Sequence, residues 1–420
     1  MKKLVLVLLA LTLTVGVFAG GQEEKPQITV LHAPEGPPFS VTQYATEKLK
    51  ADFPDVEVVL MQVDLSDGST LTMDAMLAAG TPPNVYIDYI GRASKYIVGE
   101  YALALNDRVR DIDQYQEGIL EPYTRNGFIY GLPAPGSAQG MAINLEIMDE
   151  IGYEVPWNWT IDDFLEMAEL VKQHYNGEKW ATGMFAANQS GDYLINNWFA
   201  AFGADWYGSD YADVTIASIE GERTYQFIQT LVVNGYVPPG AATLTDDDYV
   251  IQWAKGDIAA TAFFPNWTAP YFTTVIEQGL RDEPFDYIFV PFPHASDKPP
   301  TPTYVSTAAL VVHQTDTPED DWAARWAEYY NDAYVQSQMS MLGVIPNRVD
   351  AEMLTDDPRV AETARIAQEN GVMDVGLTMP FFARTRPQHY PVLQKVLNLD
   401  LTPSEAIVEY AVRLEEALVE

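Results

Sequence analysis

The chain contains no cysteine and only five histidines among its 420 residues, and those histidines stand singly. A protein without cysteine forms no disulfides and binds no metal through thiolates. The sequence also lacks a Gly-x-Ser-x-Gly elbow, a phosphate-binding Gly-rich loop and a His-Glu-x-x-His zinc motif. These absences remove the usual signatures of hydrolases, nucleotide-binding enzymes and zinc enzymes. We therefore expect no enzyme activity, no cofactor and no metal, and a core stabilised by packing alone.

Basic residues are scarce as well, with 24 Lys and Arg against 60 Asp and Glu and a formal net charge of −36. Binding to nucleic acid or to an anionic membrane needs basic patches, so this balance argues against both. The acidity suits an abundant soluble secreted protein, and a saline habitat is the alternative explanation. The run Asp246–Asp248 is better explained as a solvated turn before a helix than as a metal site.

Long apolar runs are absent apart from the one at the amino terminus. Lys2 and Lys3 precede an apolar stretch from Leu4 to Val17, and a small residue, Ala19, follows. This pattern predicts a secretory signal peptide over residues 1–19, cleaved near Ala19, and a periplasmic or secreted protein. The run is too short for a membrane-spanning helix. Gly20 stands where a lipoprotein would carry its lipidated cysteine, so lipid anchoring through that position is excluded.

The remaining chain is longer than one hydrophobic core usually supports, which predicts two lobes. Ile28–His32, Val56–Val63 and Asn84–Tyr89 are apolar, β-branched or aromatic runs that alternate with helical patterns. Such alternation predicts a doubly wound α/β lobe with parallel strands. Ligands of these lobes lie at the carboxyl ends of the strands. Four polar candidates occupy such positions: Glu35, Asp64, Asp88 and Tyr89.

The stretch from Asn126 to Val171 contains several structural signals in a short space. Gly131, Pro133, Pro135 and Gly136 form a segment that suits neither a helix nor a central strand. Further on, Thr160 suits a helix N-cap, and the acidic side chains in the following turn favour the helix dipole. We therefore predict a chain crossing near residue 136 and a helix that begins after Thr160.

The motifs in this stretch resemble those of extracellular solute-binding proteins of family 1, the maltose-binding-protein-like receptors of bacterial ABC importers. The resemblance rests on GFIYGLP, MAIN and WNWT between residues 127 and 160, on AAGTPPNVYIDY before residue 90, and on LTPSEAI from residue 401. Two departures are visible. The Thr-Trp order of the family is reversed at Trp159-Thr160, and Asn84 stands where Asp is usual.

The resemblance implies a periplasmic-binding-protein-like fold of type II, with two doubly wound α/β lobes joined by three hinge crossings. It implies a monomer that closes over a carbohydrate, with an oligosaccharide as the expected ligand, and delivers it to an ABC permease. The expected N-terminal lobe comprises residues 20–136 and 300–332. The expected C-terminal lobe comprises residues 137–299 and 333–420.

A carbohydrate ligand would use aromatic side chains, because sugar rings present apolar C–H faces to them. Trp267 is the strongest candidate, since it follows a predicted strand end and precedes Pro270, and by resemblance this segment often contacts ligand. Arg384 suits an acidic ligand, although neutralising nearby carboxylates is the preferred explanation. The remaining candidates are Asn266, Trp198, Trp206, Tyr207, Gln139 and Tyr304.

Two other function classes stay open at this point. A secreted glycosidase would use a pair of carboxylates, but 60 acidic residues make accidental pairs common. A binding protein for a polyamine, a peptide or a phosphodiester would share the fold. Binding of a cationic ligand should weaken steeply with salt, whereas binding of a neutral sugar should not.

Overall fold

The computed structural model describes residues 25–32, 40–63, 68–116 and 118–419. Within these ranges, the side chains of residues 68–71, 98, 189, 267 and 269 are not described. The predicted signal peptide and two predicted site residues, Glu35 and Asp64, therefore lie outside the described residues. Among the described residues, no helix combines the length and the apolar character that crossing a membrane requires.

The strands are short, and most are apolar. In chain order they are β1 (Gln27–His32), β2 (Glu57–Gln62), β3 (Val85–Tyr89), β4 (Thr124–Arg125), β5 (Phe128–Ile129), β6 (Leu132–Pro133), β7 (Ser137–Ala138), β8 (Gly140–Asn144), β9 (Trp180–Thr182), β10 (Ile258–Phe263), β11 (Tyr287–Val290), β12 (Val305–Ser306) and β13 (Ala308–Val312).

The helices surround the sheets. They are α1 (Val41–Asp52), α2 (Gly68–Ala78), α3 (Ile90–Val98), α4 (Leu145–Ile151), α5 (Ile161–Tyr175), α6 (Asp192–Ala201), α7 (Ile219–Val233), α8 (Asp246–Lys255), α9 (Pro265–Glu277), α10 (Glu319–Tyr330), α11 (Ala333–Ser340), α12 (Pro358–Asn370), α13 (Phe382–Thr385), α14 (His389–Leu397) and α15 (Pro403–Val419).

The first lobe is built on a five-stranded sheet with the order β2-β1-β3-β13-β6. Strands β1, β2 and β3 are parallel, and β13 runs antiparallel between β3 and β6. Apolar side chains cover both faces of this sheet in two separate clusters. This arrangement confirms the predicted doubly wound lobe, and it places the carboxyl end of β3 at the edge where ligands of such lobes bind.

The second lobe is built on a four-stranded sheet with the order β11-β8-β10-β9. Its core is larger and rich in aromatic rings, including Trp159, Trp198 and Trp253. Helix α5 begins as predicted, because the Thr160 side chain accepts a hydrogen bond from the Asp163 backbone N–H and the Asp163 carboxylate accepts one from the Thr160 backbone N–H. The predicted two-lobe fold with a mixed α/β architecture is confirmed.

Two of the crossings between the lobes pair with each other. Strand β7 lies antiparallel to β12, with Ser137 opposite Ser306 and Ala138 opposite Val305. The third crossing lies between α11 and α12, because α12 packs on the second lobe. There Glu362 accepts a hydrogen bond from the backbone of Phe289 at 2.8 Å.

The contacts between residues place two of the lobe boundaries at other positions than we predicted. We predicted that residues 333–420 belong to the second lobe, but residues 333–350 pack on the first. Gln336 and Asn347 are buried there, and Asn347 donates to the carbonyl oxygens of Pro133 and Ala134. Likewise the first lobe resumes near residue 307 rather than 300, since Thr303 is bonded to Gln139 in the hinge. The sequence does not reveal either of these boundaries. Helix α11, for example, carries no feature that marks the lobe on which it packs.

Candidate functional site

Polar side chains from the first lobe gather where β3 ends and α3 begins. Asp88 is fully buried, and its carboxylate accepts hydrogen bonds from the Tyr86 hydroxyl and from the Tyr89 backbone N–H. Arg92, one turn along α3, lies with its Nε 3.4 Å from Asp88 Oδ1. This carboxylate therefore holds a buried arginine at the carboxyl end of the sheet, where the topology predicts a ligand.

The second lobe faces this point with an ion pair of its own. Arg386 donates from Nε and from a terminal nitrogen to the two carboxylate oxygens of Asp192, both at 2.9 Å. Both side chains are almost fully buried. Burial acts to lower the pKa of Arg386, but attraction and hydrogen bonding to Asp192 raise it above its usual range. The guanidinium therefore stays charged and is held in one orientation by a bidentate contact.

The aromatic ring of Tyr89 lies between these two arginines. The Arg92 guanidinium is 5.1 Å from the ring centroid and the Arg386 guanidinium is 5.9 Å from it. Arg92 belongs to the first lobe and Arg386 to the second, so Tyr89 is a point at which the lobes meet. Tyr304, next to the hinge, is buried within the same electrostatic environment, and its burial raises the pKa of its hydroxyl. Tyr89 and Tyr304 thus lie close to the same charged side chains.

Two amide side chains beside the hinge retain unused hydrogen-bonding atoms. Gln139 and Asn197 are both fully buried, and Asn197 Nδ2 donates to Gln139 Oε1 at 2.7 Å. Gln139 Nε2 and Asn197 Oδ1 have no partner, which leaves one donor and one acceptor side by side. Buried polar atoms without partners are uncommon and costly. This pair could accommodate a hydroxyl group, which both donates and accepts.

His389 lies behind the Asp192–Arg386 pair. Its Nδ1 is 2.7 Å from the Arg386 carbonyl oxygen, while its Nε2 is buried without a partner. Burial lowers the pKa of His389, and the carboxylate of Asp192 only partly offsets this effect. A small cavity adjoins the group, lined by His389, Asp192, Arg386, Trp206 and Tyr207. The histidine is therefore neutral near pH 7.

The structure brings together several of the predicted site residues and separates others. Asp88, Tyr89, Gln139 and Tyr304 lie around the cleft, and Tyr207 lines the small cavity beside it. Asn266 lies in the first turn of α9 with its Oδ1 buried and unpartnered. Trp267 follows β10 as predicted and occupies the same turn of α9, and its side chain is not described.

Three predicted residues occupy other surroundings. Trp198 is fully buried among Phe164, Phe227 and Phe292, so it offers no face to a ligand. The reason is that α6 is buried on nearly all sides, which its apolar pattern alone does not reveal. Trp206 lines the small cavity beside His389, but it is almost fully buried and packs on Phe199.

Arg384 is exposed and donates to the carbonyl oxygens of Ala417 and Leu418 at the end of α15. It therefore caps a helix that ends in unpaired carbonyls, as basic side chains often do. This placement fits neither of the two explanations that the sequence suggested for Arg384, an acidic ligand or nearby carboxylates.

Sequence reasoning missed Arg92, Asp192, Arg386 and His389. Asp192 and Arg386 are 194 positions apart, so no local pattern links them. One signal was available, because the run Arg384-Thr385-Arg386-Pro387 contains two of the few basic residues in this acidic chain. The sequence analysis selected Arg384 of the two and not Arg386. The described residues contain no group of three or more histidine and carboxylate side chains arranged to hold a metal.

Comparison with known proteins gives this site a context. Residues 33–336 match the family described as "Bacterial extracellular solute-binding protein". An arabinooligosaccharide-binding protein of Halalkalibacterium halodurans is 25% identical over 206 residues. That alignment covers 47% of this chain and 44% of the relative, so the chain matches less than half the length of that relative.

Two solved structures share the fold at low sequence identity. A chitin oligosaccharide binding protein superimposes with a TM-score of 0.78 at 17% identity, covering 94% of this chain and 99% of the other. UgpB from Mycobacterium tuberculosis, in complex with glycerophosphocholine, superimposes with a TM-score of 0.74 at 16% identity, covering 90% of this chain and 95% of the other. At such identities the likeness shows the fold alone, and these two proteins bind chemically different molecules.

Proposed function

Since the chain belongs to the family of bacterial extracellular solute-binding proteins, we propose that it captures a neutral oligosaccharide between its two lobes and delivers it to an ABC permease. In this proposal the ligand contacts both lobes, and closure is favoured because the closed form makes more contacts with it. The protein acts as a monomer, after its predicted signal peptide has been removed, in the periplasm or outside the cell.

The observation that carries the proposal is the charge balance of the described part of the cleft. Asp88 is paired with Arg92 and Asp192 with Arg386, so two negative charges face two positive ones. A polyamine would need uncompensated carboxylates and a phosphodiester would need a free arginine. A neutral, hydroxyl-rich ligand needs neither, and the unused donor of Gln139 and acceptor of Asn197 suit hydroxyl groups.

The aromatic side chains support the same ligand class. Tyr89 and Tyr304 supply rings at the cleft, and Trp267 at the start of α9 remains our prediction for a stacking platform. The arabinooligosaccharide-binding relative adds a sequence relationship to a sugar-binding protein. The family and the structural relatives are binding proteins, and both described carboxylates of the cleft are engaged with arginines, so we propose a receptor and not a glycosidase.

A thermal-shift screen of the chain without residues 1–19 tests the ligand class. The panel comprises arabino-, chito- and malto-oligosaccharides, with spermidine, tripeptides and glycerophosphocholine as contrasting ligands. At a hundred times its dissociation constant, a ligand adds about 2.7 kcal/mol to the free energy of unfolding. In a protein of this size we expect a rise in melting temperature of roughly 5 °C with one sugar class.

Two further measurements test whether the ligand is uncharged and whether the protein leaves it intact. The affinity for the sugar should be nearly the same at low and high salt, because the ligand carries no charge. Chromatography of the incubated sugar should show no cleavage. A shift with spermidine or glycerophosphocholine alone would overturn the ligand class while leaving the fold intact, and release of shorter sugars would overturn the receptor assignment.

Trp267→Ala tests the proposed platform, and Trp157→Ala serves as its control. Trp157 is also a tryptophan, but its indole N–H donates to Glu369 on the outside of the second lobe. Loss of a stacking ring should weaken sugar binding roughly tenfold or more. Equal affinities of both variants and the unaltered protein would remove Trp267 from the site.

A further inference from the structure

Helix α3 of the first lobe and the segment 377–386 of the second lobe touch beside the cleft, and Gly91 lies at the point of contact. A Cβ built on Gly91 would lie 2.6 Å from the Leu377 carbonyl oxygen, and closer still to the ring of Phe382. Atoms cannot approach so closely, so any larger residue at position 91 would have to push the two segments apart. Gly91 is helical with an ordinary negative φ. Glycine is therefore required at position 91 by the close approach of the two segments, and not by the conformation of the local backbone.

The neighbours of Gly91 reinforce this contact. Leu377 packs against apolar side chains of the first lobe as well as those of the second. Phe382 is 5% exposed, and Tyr89, two residues before Gly91, lies under the Arg386 guanidinium. Because Asp192 fixes Arg386 with two hydrogen bonds, the guanidinium is already oriented for the Tyr89 ring. The contact thus combines a steric fit with an attractive interaction.

The lobes approach each other at a second place as well. The turn at Gly343, which follows α11 on the first lobe, lies against the start of α9 on the second. A Cβ on Gly343 would lie 3.1 Å from Pro265 Cβ and from the Asn266 backbone nitrogen. Gly343 has a φ of +88°, so its backbone already requires glycine. Gly91 has no such requirement, which makes it the cleaner position for an experiment.

We propose that Gly91 and the segment containing Leu377 and Phe382 form a closure contact that sets how far the lobes can come together. Gly91 acts as a positioning residue, because it admits the second lobe without touching a ligand. This proposal rests on the proposed function in one respect only, which is that the movement of the lobes is described as closure around a ligand. Every atom of the contact belongs to the chain, so the contact can form in the protein alone.

Gly91→Ala tests the proposal with a single added methyl group. Overpacked contacts are destabilised strongly enough to reduce the closed population about tenfold or more. Alanine is a better helix former than glycine, so the melting temperature of the variant should be unchanged or slightly raised. Gly208→Ala is the matched control, because a Cβ there would meet only Asp210 Oδ1, at 3.7 Å.

The absence of native cysteines allows the closed population to be measured directly. Glu47→Cys on α1 and Gln226→Cys on α7 place one exposed spin label on each lobe, in every protein compared. Pulsed electron spin resonance then gives the distribution of distances between them, with and without the sugar panel. In the protein with Gly91 unaltered and in Gly208→Ala, we expect the distribution to contain a closed-form distance. In Gly91→Ala this distance should disappear or shift.

The outcomes separate this proposal from the proposed function. An unchanged closed-form distance in Gly91→Ala, or no closed form in the Gly91 protein under any condition, would overturn the closure contact. A protein that closes alone, responds to Gly91→Ala and ignores every sugar would keep the closure contact and overturn the ligand class. If Gly91→Ala does not fold, Phe382→Leu takes its place. Removal of the Phe382 ring should reduce the closed population, and an unchanged distribution would again overturn the proposal.

Discussion

Two buried polar clusters near the hinge differ in how completely their atoms are bonded. The first, which we term the amide cluster, comprises Asn331, Gln336 and Asn347 on the first lobe. Gln336 and Asn347 bond to each other twice, at 2.6 and 2.8 Å, and every buried side-chain polar atom of the three has a partner. The second, the cleft cluster, comprises Gln139 and Asn197, which bond to each other. Each of these two side chains has one buried atom without a partner.

The difference indicates what each cluster does. A fully bonded buried network fixes the backbone around it, and the amide cluster holds the carbonyl oxygens of Pro133 and Ala134 just before the first crossing. A buried network with unused atoms reduces stability unless something else supplies the partners. The cleft cluster therefore suits recognition, and the amide cluster suits support of the hinge.

The largest effect should follow from damage to the amide cluster. Asn347→Ala removes three side-chain hydrogen bonds, which join Asn347 to Gln336 Nε2 and to the carbonyl oxygens of Pro133 and Ala134. Each such bond contributes about 1 kcal/mol to stability. We expect the free energy of unfolding to fall by about 3 kcal/mol, measured by urea denaturation. Asn398→Ala, at an exposed helix end, should change it by less than about 0.5 kcal/mol. Equal losses in the two variants would contradict the structural role of the cluster.

The cleft cluster should respond in the opposite way. Gln139→Leu removes the unused Nε2 donor while keeping a side chain of similar size, and Asn197 Nδ2 retains its bond to the Tyr193 carbonyl oxygen. We expect the free energy of unfolding to change by only about 1 kcal/mol or less. Binding of the sugar identified in the thermal-shift screen should weaken about tenfold, as titration calorimetry would show. A variant that binds as tightly as the native protein would mean that the donor serves no ligand.

The smallest effect concerns the dependence of stability on pH. Burial lowers the pKa of His389, so the unfolded chain binds the proton at higher pH than the folded protein does. This contribution to stability is complete above the unfolded pKa of about 6.5 and is lost as pH falls below it. Between pH 7 and pH 5 the native protein should lose about 1 kcal/mol more than His389→Gln.

The comparison between the two proteins isolates His389, because the other titrating groups remain in both. His313, whose pKa is also lowered mainly by burial, is one of these groups. Asp192 and Arg386 face His389 from the second lobe and are likewise unchanged. Parallel pH profiles of the two proteins would show that protonation of His389 does not differ between the folded and unfolded chain.

The fold could be predicted because its signals are local. Apolar strands alternate with amphipathic helices, and the capping residues Thr160 and Thr402 mark helix starts as expected. Part of the cleft could be predicted from topology, since Asp88 and Tyr89 follow directly from the carboxyl end of β3. These inferences need only the residues of one strand or one helix.

The rest depends on packing between distant segments. Nothing near Trp198 in the sequence shows that Phe227 and Phe292 cover it, and nothing near Arg386 shows that Asp192 binds it. The assignment of α11 to the first lobe likewise depends on Asn347 reaching Pro133. Such contacts join residues 29 to 214 positions apart, where sequence patterns carry no spacing information.

The position of β13 constrains the order in which the molecule can be assembled. This strand fills the gap between β3 and β6, although it follows them by some two hundred residues of chain that belong largely to the other lobe. A growing polypeptide that has not yet reached Val312 lacks the strand that joins β3 to β6 in the first sheet. The amino-terminal lobe is therefore completed late, and a chain emerging from the ribosome stays without its finished first domain until about five-sixths of it has been made.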